Sequence, residues 1–213
     1  MTPAMIVNKT TGAKVMPMGM TIAEPECQMT SAELQALAVD APVSKIFLAN
    51  LISAFSSHER CGVHLYRTAA GMTKIPEFRE RYEEFGRETE NHVRILAELT
   101  TAMGGDPMYV SPQARIDEAL NSKMMETILL NGSIDDLTQE LTMLDTVILA
   151  ETRCHANWEL LSLMADQVPD SAMKQALQDA VSQVGPQEDE HIRWARQMWQ
   201  QTLLAQVMPT TPV

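Results

Sequence analysis

Glycine, aromatic residues and cysteine are all scarce in this chain. Nine glycines and 5% aromatics among 213 residues leave little for the β-branched and aromatic faces that sheets favour. The three cysteines, Cys27, Cys61 and Cys154, are an odd set without Cys-x-x-Cys spacing. That argues against a disulfide framework or a zinc ribbon and points to a reducing cytosol. No apolar run approaches the ~18 to 20 residues of a membrane span, and Lys9 and Lys14 are followed by no apolar stretch of the kind a secretory signal carries. Basic residues number 16 against 28 acidic, a formal charge of −12. So acidic a surface repels phosphate, which disfavours bulk nucleic acid and anionic membrane as partners. A Gly-rich phosphate loop and a Gly-x-Ser-x-Gly elbow are missing too.

What the chain has is helix-forming material: 45% apolar residues with 16 methionines. Residues 1–30 show no hydrophobic period and hold Met1, Met5, Met16, Met18 and Met20 between Pro3, Pro17 and Pro25. This tract reads as a flexible arm. Thioethers can bind copper(I), but a loose or partner-packed tail is the commoner use of such a segment. Residues 31–207 read as one helical domain and 208–213 as a frayed tail. Thr30-Ser-Ala-Glu33 fits a capping box for a short leading helix. A first long helix opens at Asp40-Ala-Pro42 and runs to about Ala70; a second opens at Ile75-Pro76 and stops at Gly104-Gly105. A linking helix starts at Ser111-Pro112 and breaks at Asn131-Gly132. A third long helix is capped by Ser133-Ile-Asp-Asp136, and a fourth follows Pro169-Asp-Ser171 to about Val207. The fold expected is all-α: two helical hairpins joined by a long crossover, one of the four-helix-bundle connectivities.

The two hairpins repeat one another. The second long helix carries a core stripe Phe78, Tyr82, Phe85, Thr89, His92, Leu96, and the fourth carries Leu177, Val181, Val184, Glu188, His191, Ala195, displaced by 99 residues. Ile52, Phe55, Glu59, Gly62, Tyr66 on the first and Leu144, Val147, Glu151, Cys154, Trp158 on the third are displaced by 92. Charges lie within these inward stripes: Glu59, His92, Glu151, Glu188 and His191. A buried ionised carboxylate costs several kcal/mol unless paired. With no Lys or Arg on the same faces, a cation among them is the natural partner. Glu188-x-x-His191 sets a carboxylate and an imidazole one turn apart, able to reach one metal. A Glu from each of two helices plus Glu-x-x-His from each of the other two is the di-metal carboxylate signature. Thr89-x-x-His92 supplies its fourth part only by half.

On these residues, over about 42–205, the chain resembles the ferritin-like superfamily, nearest the rubrerythrin and bacterioferritin type of carboxylate-bridged bundle. The resemblance implies Glu59 and Glu151 as terminal ligands, His92 and His191 each on one metal, and Glu188 bridging. Thr89 departs from it, standing where a second bridging Glu is expected; Glu88 borders the same face and is the first candidate to reach in. The implied cofactor is two ions of iron or manganese, alone or mixed. The implied activity is an oxidoreductase acting on dioxygen or peroxide, with room for a small organic substrate. Against this stands a non-catalytic bundle for metal storage or helical interaction. The lack of a rubredoxin-type Cys-x-x-Cys segment counts against a complete rubrerythrin. Met-rich helix faces suggest a homodimer. His58 and His64 fall off the stripe and read as surface residues, His155 as a boundary histidine, Tyr66 and Trp158 as packing, and Cys61 and Cys154 as fillers.

Overall fold

The computed structural model describes residues 6–7, 14–15, 44–129, 134–169 and 172–208. The leading helix expected at Thr30, most of the Met-rich arm and the last five residues lie outside the described residues. Within the arm, β1 (Ile6–Val7) pairs antiparallel with β2 (Lys14–Val15), Ile6 opposite Val15. The other regular elements among the described residues are helices. Among the described residues no helix is long and apolar enough to cross a membrane.

Among the described residues five helices follow: α1 (Lys45–Met72), α2 (Pro76–Ala102), α3 (Pro112–Leu129), α4 (Asp136–Gln167) and α5 (Ala172–Val207). Their ends obey local chemistry. Ser44 caps α1 by accepting from the Phe47 amide, and Asp135 caps α4 by accepting from that of Thr138. Pro76 opens α2, where its missing N–H is no loss. Gly104, at φ +79°, ends α2 in the left-handed region. The Gly105 amide then reaches back to the Thr100 carbonyl at 2.9 Å, satisfying an orphan acceptor of the last turn.

The four long helices form a closed cycle of contacts, α1 on α2, α2 on α5, α5 on α4 and α4 on α1. Two apolar clusters fill it. One gathers Tyr66, Phe78, Tyr82, Phe85, Met143, Leu144 and Trp194; the other gathers Leu48, Ile52, Phe55, Leu96, Trp158, Leu161 and Leu177. Along α1 and α5 the chain passes from the second cluster to the first, and along α2 and α4 it runs the other way. Each helix therefore crosses a belt between the clusters, and Glu59, Thr89, His92, Glu151, Glu188 and His191 all lie at that level. Apolar packing on both sides holds the belt at a fixed height.

The expected crossover contains α3, which lies on α1 and touches α4. Polar contacts rather than apolar ones pin its start. Ser111 Oγ donates to the Asn50 carbonyl at 3.0 Å, Tyr109 Oη to Asn50 Oδ1 at 2.6 Å, and Arg153 of α4 pairs with buried Asp117 at 2.9 Å.

Candidate metal centre

All five stripe residues are brought together, and none is more than 1% exposed. They form two overlapping triads, Glu59–His92–Glu188 and Glu151–Glu188–His191, in each of which one ligand atom per residue lies within 4.8 Å of the others. Glu188 belongs to both. His92 Nδ1 is 3.0 Å from Glu188 Oε1 and 3.5 Å from Glu59 Oε2, and His191 Nδ1 is 3.4 Å from Glu151 Oε2. These approaches are close but out of line for hydrogen bonds, because both Nδ1 atoms lack a hydrogen-bond partner.

The pattern of satisfied and orphaned atoms is specific. Glu59 Oε1 accepts from Trp158 Nε1 at 2.7 Å, and Glu151 Oε1 accepts from Tyr66 Oη at 2.8 Å. His92 Nε2 donates to Gln187 Oε1 at 2.9 Å, and His191 Nε2 donates to Glu88 Oε2 at 2.7 Å. Each outer atom is thus occupied, which fixes the ring tautomer and turns Nδ1 inward. The inner atoms Glu59 Oε2, His92 Nδ1, Glu151 Oε2, Glu188 Oε2 and His191 Nδ1 are five of the eight buried side-chain polar atoms without a hydrogen bond among the described residues. Orphaned buried acceptors are expensive. Five facing one another are what two cations would satisfy.

Electrostatics show the strain of the cation-free arrangement. Burial disfavours the charged imidazoles, but Glu188 and Glu59 outweigh it at His92, which is pushed up to about 10; Glu151 and Glu88 do the same at His191, pushed up to about 9. Burial, then the charges of Glu151 and Glu59, pushes Glu188 up to about 8. Burial also works against the Glu151 carboxylate, yet the His191 and Tyr66 contacts prevail and keep it below the ordinary range. Protons on the two rings and on Glu188 thus offset carboxylate charge at neutral pH.

Several expectations need correction. Glu88 does not take the place of the missing bridging Glu, because it sits behind His191, on the ring nitrogen turned away from the triads. The Thr89 hydroxyl turns back on its own helix and donates to the Phe85 carbonyl at 2.8 Å. Its methyl faces Gly62, where an added Cβ would lie 3.1 Å away, and Phe85 lies with its ring 4.2 Å from that of His191. His58 is buried: Nε2 donates to the Ala150 carbonyl at 3.0 Å and Nδ1 meets Asn121 Oδ1 at 3.0 Å. Turning the Asn121 amide about would set its otherwise unpaired Nδ2 on that nitrogen. Tyr66 and Trp158 are more than packing, since each donates to a carboxylate of the belt. Other readings agree with the structure: His155 lies at the boundary, half-exposed and paired with Asp189 at 2.8 Å, and His64 is exposed. Cys61 and Cys154 are free thiols, half-buried and buried.

Gln187 had no signal in the sequence alone beyond the repeat itself: it lies 99 residues after Glu88, as His191 does after His92.

No family model matches the chain, and no curated protein matches it. Among solved structures it is similar to a dodecameric thioferritin, the bacterioferritin-related protein from Bacteroides fragilis, at 13% identity and a TM-score of 0.47, over 84% of this chain and 98% of that one.

Proposed function

We propose that the chain is a ferritin-like four-helix bundle in which Glu59, His92, Glu151, Glu188 and His191 hold two iron or manganese ions, with Glu188 shared between them. The convergence of five orphaned donor atoms on one buried belt carries this reading. Two divalent cations also answer the charge of three carboxylates whose close ionic neighbours, among the described residues, are histidines. Carboxylate and imidazole donors suit iron and manganese better than copper(I), which prefers thiolate and thioether.

Such a pair supplies one-electron steps to dioxygen or peroxide, and an oxidoreductase on these small molecules is the function favoured. The chain's own contribution is positional. Trp158 and Tyr66 each hold one oxygen of a terminal carboxylate, so the other is presented inward without losing rotamer freedom on binding. The apolar clusters above and below exclude water. His92 and His191 give up their Nδ1 protons as cations enter.

Storage of the metal is the second reading. It is favoured by the lining of the surface grooves of about 170 and 340 Å³, between α2 and α5 and between α1 and α2, which include none of the five residues. Neither groove is lined by a belt residue, and ferrous ion, dioxygen and peroxide need less space to enter than an organic substrate. A reducing cytosol is the expected setting. A second copy of the chain is the expected partner, and Leu149, Leu160 and Leu163, exposed on one outer face of α4, support it.

The test is metal content of protein purified without chelator, followed by absorption spectra under air and then peroxide. Two equivalents of iron or manganese with oxidant-dependent bands support the oxidoreductase. Two equivalents with slow ferrous oxidation and no peroxide turnover support storage. Metal-free protein that takes up neither ion would sink both.

A further inference from the structure

The two hairpins correspond position for position around the belt, and besides Thr89 against Glu188 and Gly62 against Cys154 there is a pair at which the chemistry differs while the geometry does not. Glu88 on α2 and Gln187 on α5 are 99 residues apart, the same displacement as the histidines. Each reaches across to the histidine of the other hairpin: His191 Nε2 donates to Glu88 Oε2 at 2.7 Å, and His92 Nε2 donates to Gln187 Oε1 at 2.9 Å. Gln187 Nε2 then donates to Glu88 Oε1 at 3.1 Å, joining the four side chains in one line, His92–Gln187–Glu88–His191. His191 is therefore backed by a carboxylate and His92 by a neutral amide. A charged acceptor on Nε2–H draws that proton and enriches the ring, which makes Nδ1 a better donor to a cation; an amide does so less. The terminal carboxylates of the two triads are held alike. Each triad has one terminal carboxylate held by one buried aromatic donor, and both use Glu188.

We infer that Glu88 and Gln187 set the order in which the centre fills: the Glu151–Glu188–His191 position takes its cation more tightly because His191, and not His92, leans on a carboxylate. The inference rests on the two-cation reading above. Neither residue is among the inner donors, so both act as positioning residues. The Glu88 side chain is 28% exposed and Gln187 is half-buried, so exchanging acid for amide at either place leaves the apolar clusters untouched.

The experiment titrates the metal-free full chain with Zn²⁺, a diamagnetic divalent probe, while NMR follows the imidazole nitrogens of His92 and His191. In the unaltered protein His191 should respond first, with the two steps apart by about tenfold, the lower end of what partners behind a metal ligand contribute. Glu88→Gln should close the gap. Glu88→Gln combined with Gln187→Glu should reverse the order, His92 now responding first, a result that general loosening of the fold cannot give. If the double exchange does not fold, as judged by its helical circular dichroism, Glu88→Gln alone decides. Simultaneous response of the two rings in the unaltered protein, or a gap that survives Glu88→Gln, overturns the inference and leaves the two-cation reading standing. No response of either ring at any Zn²⁺ level overturns that reading itself.

Discussion

The first hairpin, α1–α2, brings Glu59, Thr89 and His92 to the belt; the second, α4–α5, brings Glu151, Glu188 and His191. Around these the halves diverge in a consistent way. Gly62 lies against the Thr89 methyl, while Cys154, 92 residues on, puts a buried thiol at the corresponding position, within the field of Glu59, Glu188 and Glu151. The first half closes its inner face with tight packing and the second half fills it with charge. Carboxylates that end a site are needed once per cation, so both halves keep theirs. A carboxylate that lies between two cations is needed once per centre, and Glu188 alone reaches both triads. A fourth buried carboxylate would add desolvation cost whenever no cation is bound, although two divalent cations against three carboxylates would leave one positive charge for it to answer.

Removing the shared residue should break the comparison hardest. Glu188→Gln is expected to weaken both cation positions by more than the roughly 100-fold that changes behind a ligand reach. In the metal-free protein it should move stability by only about 1 kcal/mol, because Glu188, pushed up to about 8, already carries its proton at neutral pH. Calorimetric titration with Mn²⁺ and urea unfolding of the metal-free form check the two halves of that statement.

Thr89→Glu makes the halves alike. It should destabilise the metal-free protein by about 3 kcal/mol, the scale of an uncompensated buried charge, and tighten cation binding at the Glu59–Glu188–His92 position. Ferrous oxidation by dioxygen should quicken with it. Unfolding with and without Mn²⁺ reads the sign change; equal loss in both conditions would mean that the new carboxylate does not face the belt.

The proton-for-cation exchange gives a pH dependence. His92 and His191 are raised to about 10 and about 9 in the folded chain, above the ~6.5 of an unfolded histidine. Their contribution is whole below ~6.5 and is lost as pH rises through 9 and 10. Glu188, raised to about 8, acts with the same sign from its unfolded range upward. Metal-free protein should therefore lose a few kcal/mol between pH 6 and 10, while Mn²⁺ affinity climbs over the same range. A metal-free stability profile flat across that window would falsify the assignment of protons to the belt.

Smaller effects separate the halves. Tyr66→Phe should weaken the Glu151 position and Trp158→Phe the Glu59 position, each by about 1.5 to 3 kcal/mol, the value of a hydrogen bond to a charged group. The two-step titration shows which step each change lowers. His155→Ala touches only exposed partners and should stay within about 0.5 kcal/mol, with both steps unchanged.

Much of this was legible before the fold was known, and for a physical reason. A helix displays its neighbours at fixed angles, so residues spaced three and four apart declare which face they share. Glu59, His92, Glu151, Glu188 and His191 could be placed on inner stripes that way, and Gly104 and Pro76 marked helix ends. What crosses between helices is set by their relative slide, which no single stripe encodes. Trp158 meeting Glu59, Tyr66 meeting Glu151, and Glu88 turning behind His191 were all missed on that account. His58 was misjudged because α3, a helix of the crossover, covers a face of α1 that a plain four-helix arrangement leaves to solvent.

That covered face has a use as an alignment peg. His58 and Ala150 immediately precede Glu59 and Glu151 in the chain, and the 3.0 Å bond from the His58 ring to the Ala150 carbonyl is a direct polar tie between α1 and α4 at that level. Apolar packing above and below sets the height of the belt, yet each of its many small, non-directional contacts can yield a little. A single directional bond does not. With Asn121 holding the other edge of the ring, the peg stops α1 and α4 from sliding, and so sets how far apart the two terminal carboxylates stand. Spacing at the centre of the molecule is in this way gauged from its flank, by a helix that contributes no donor to the belt.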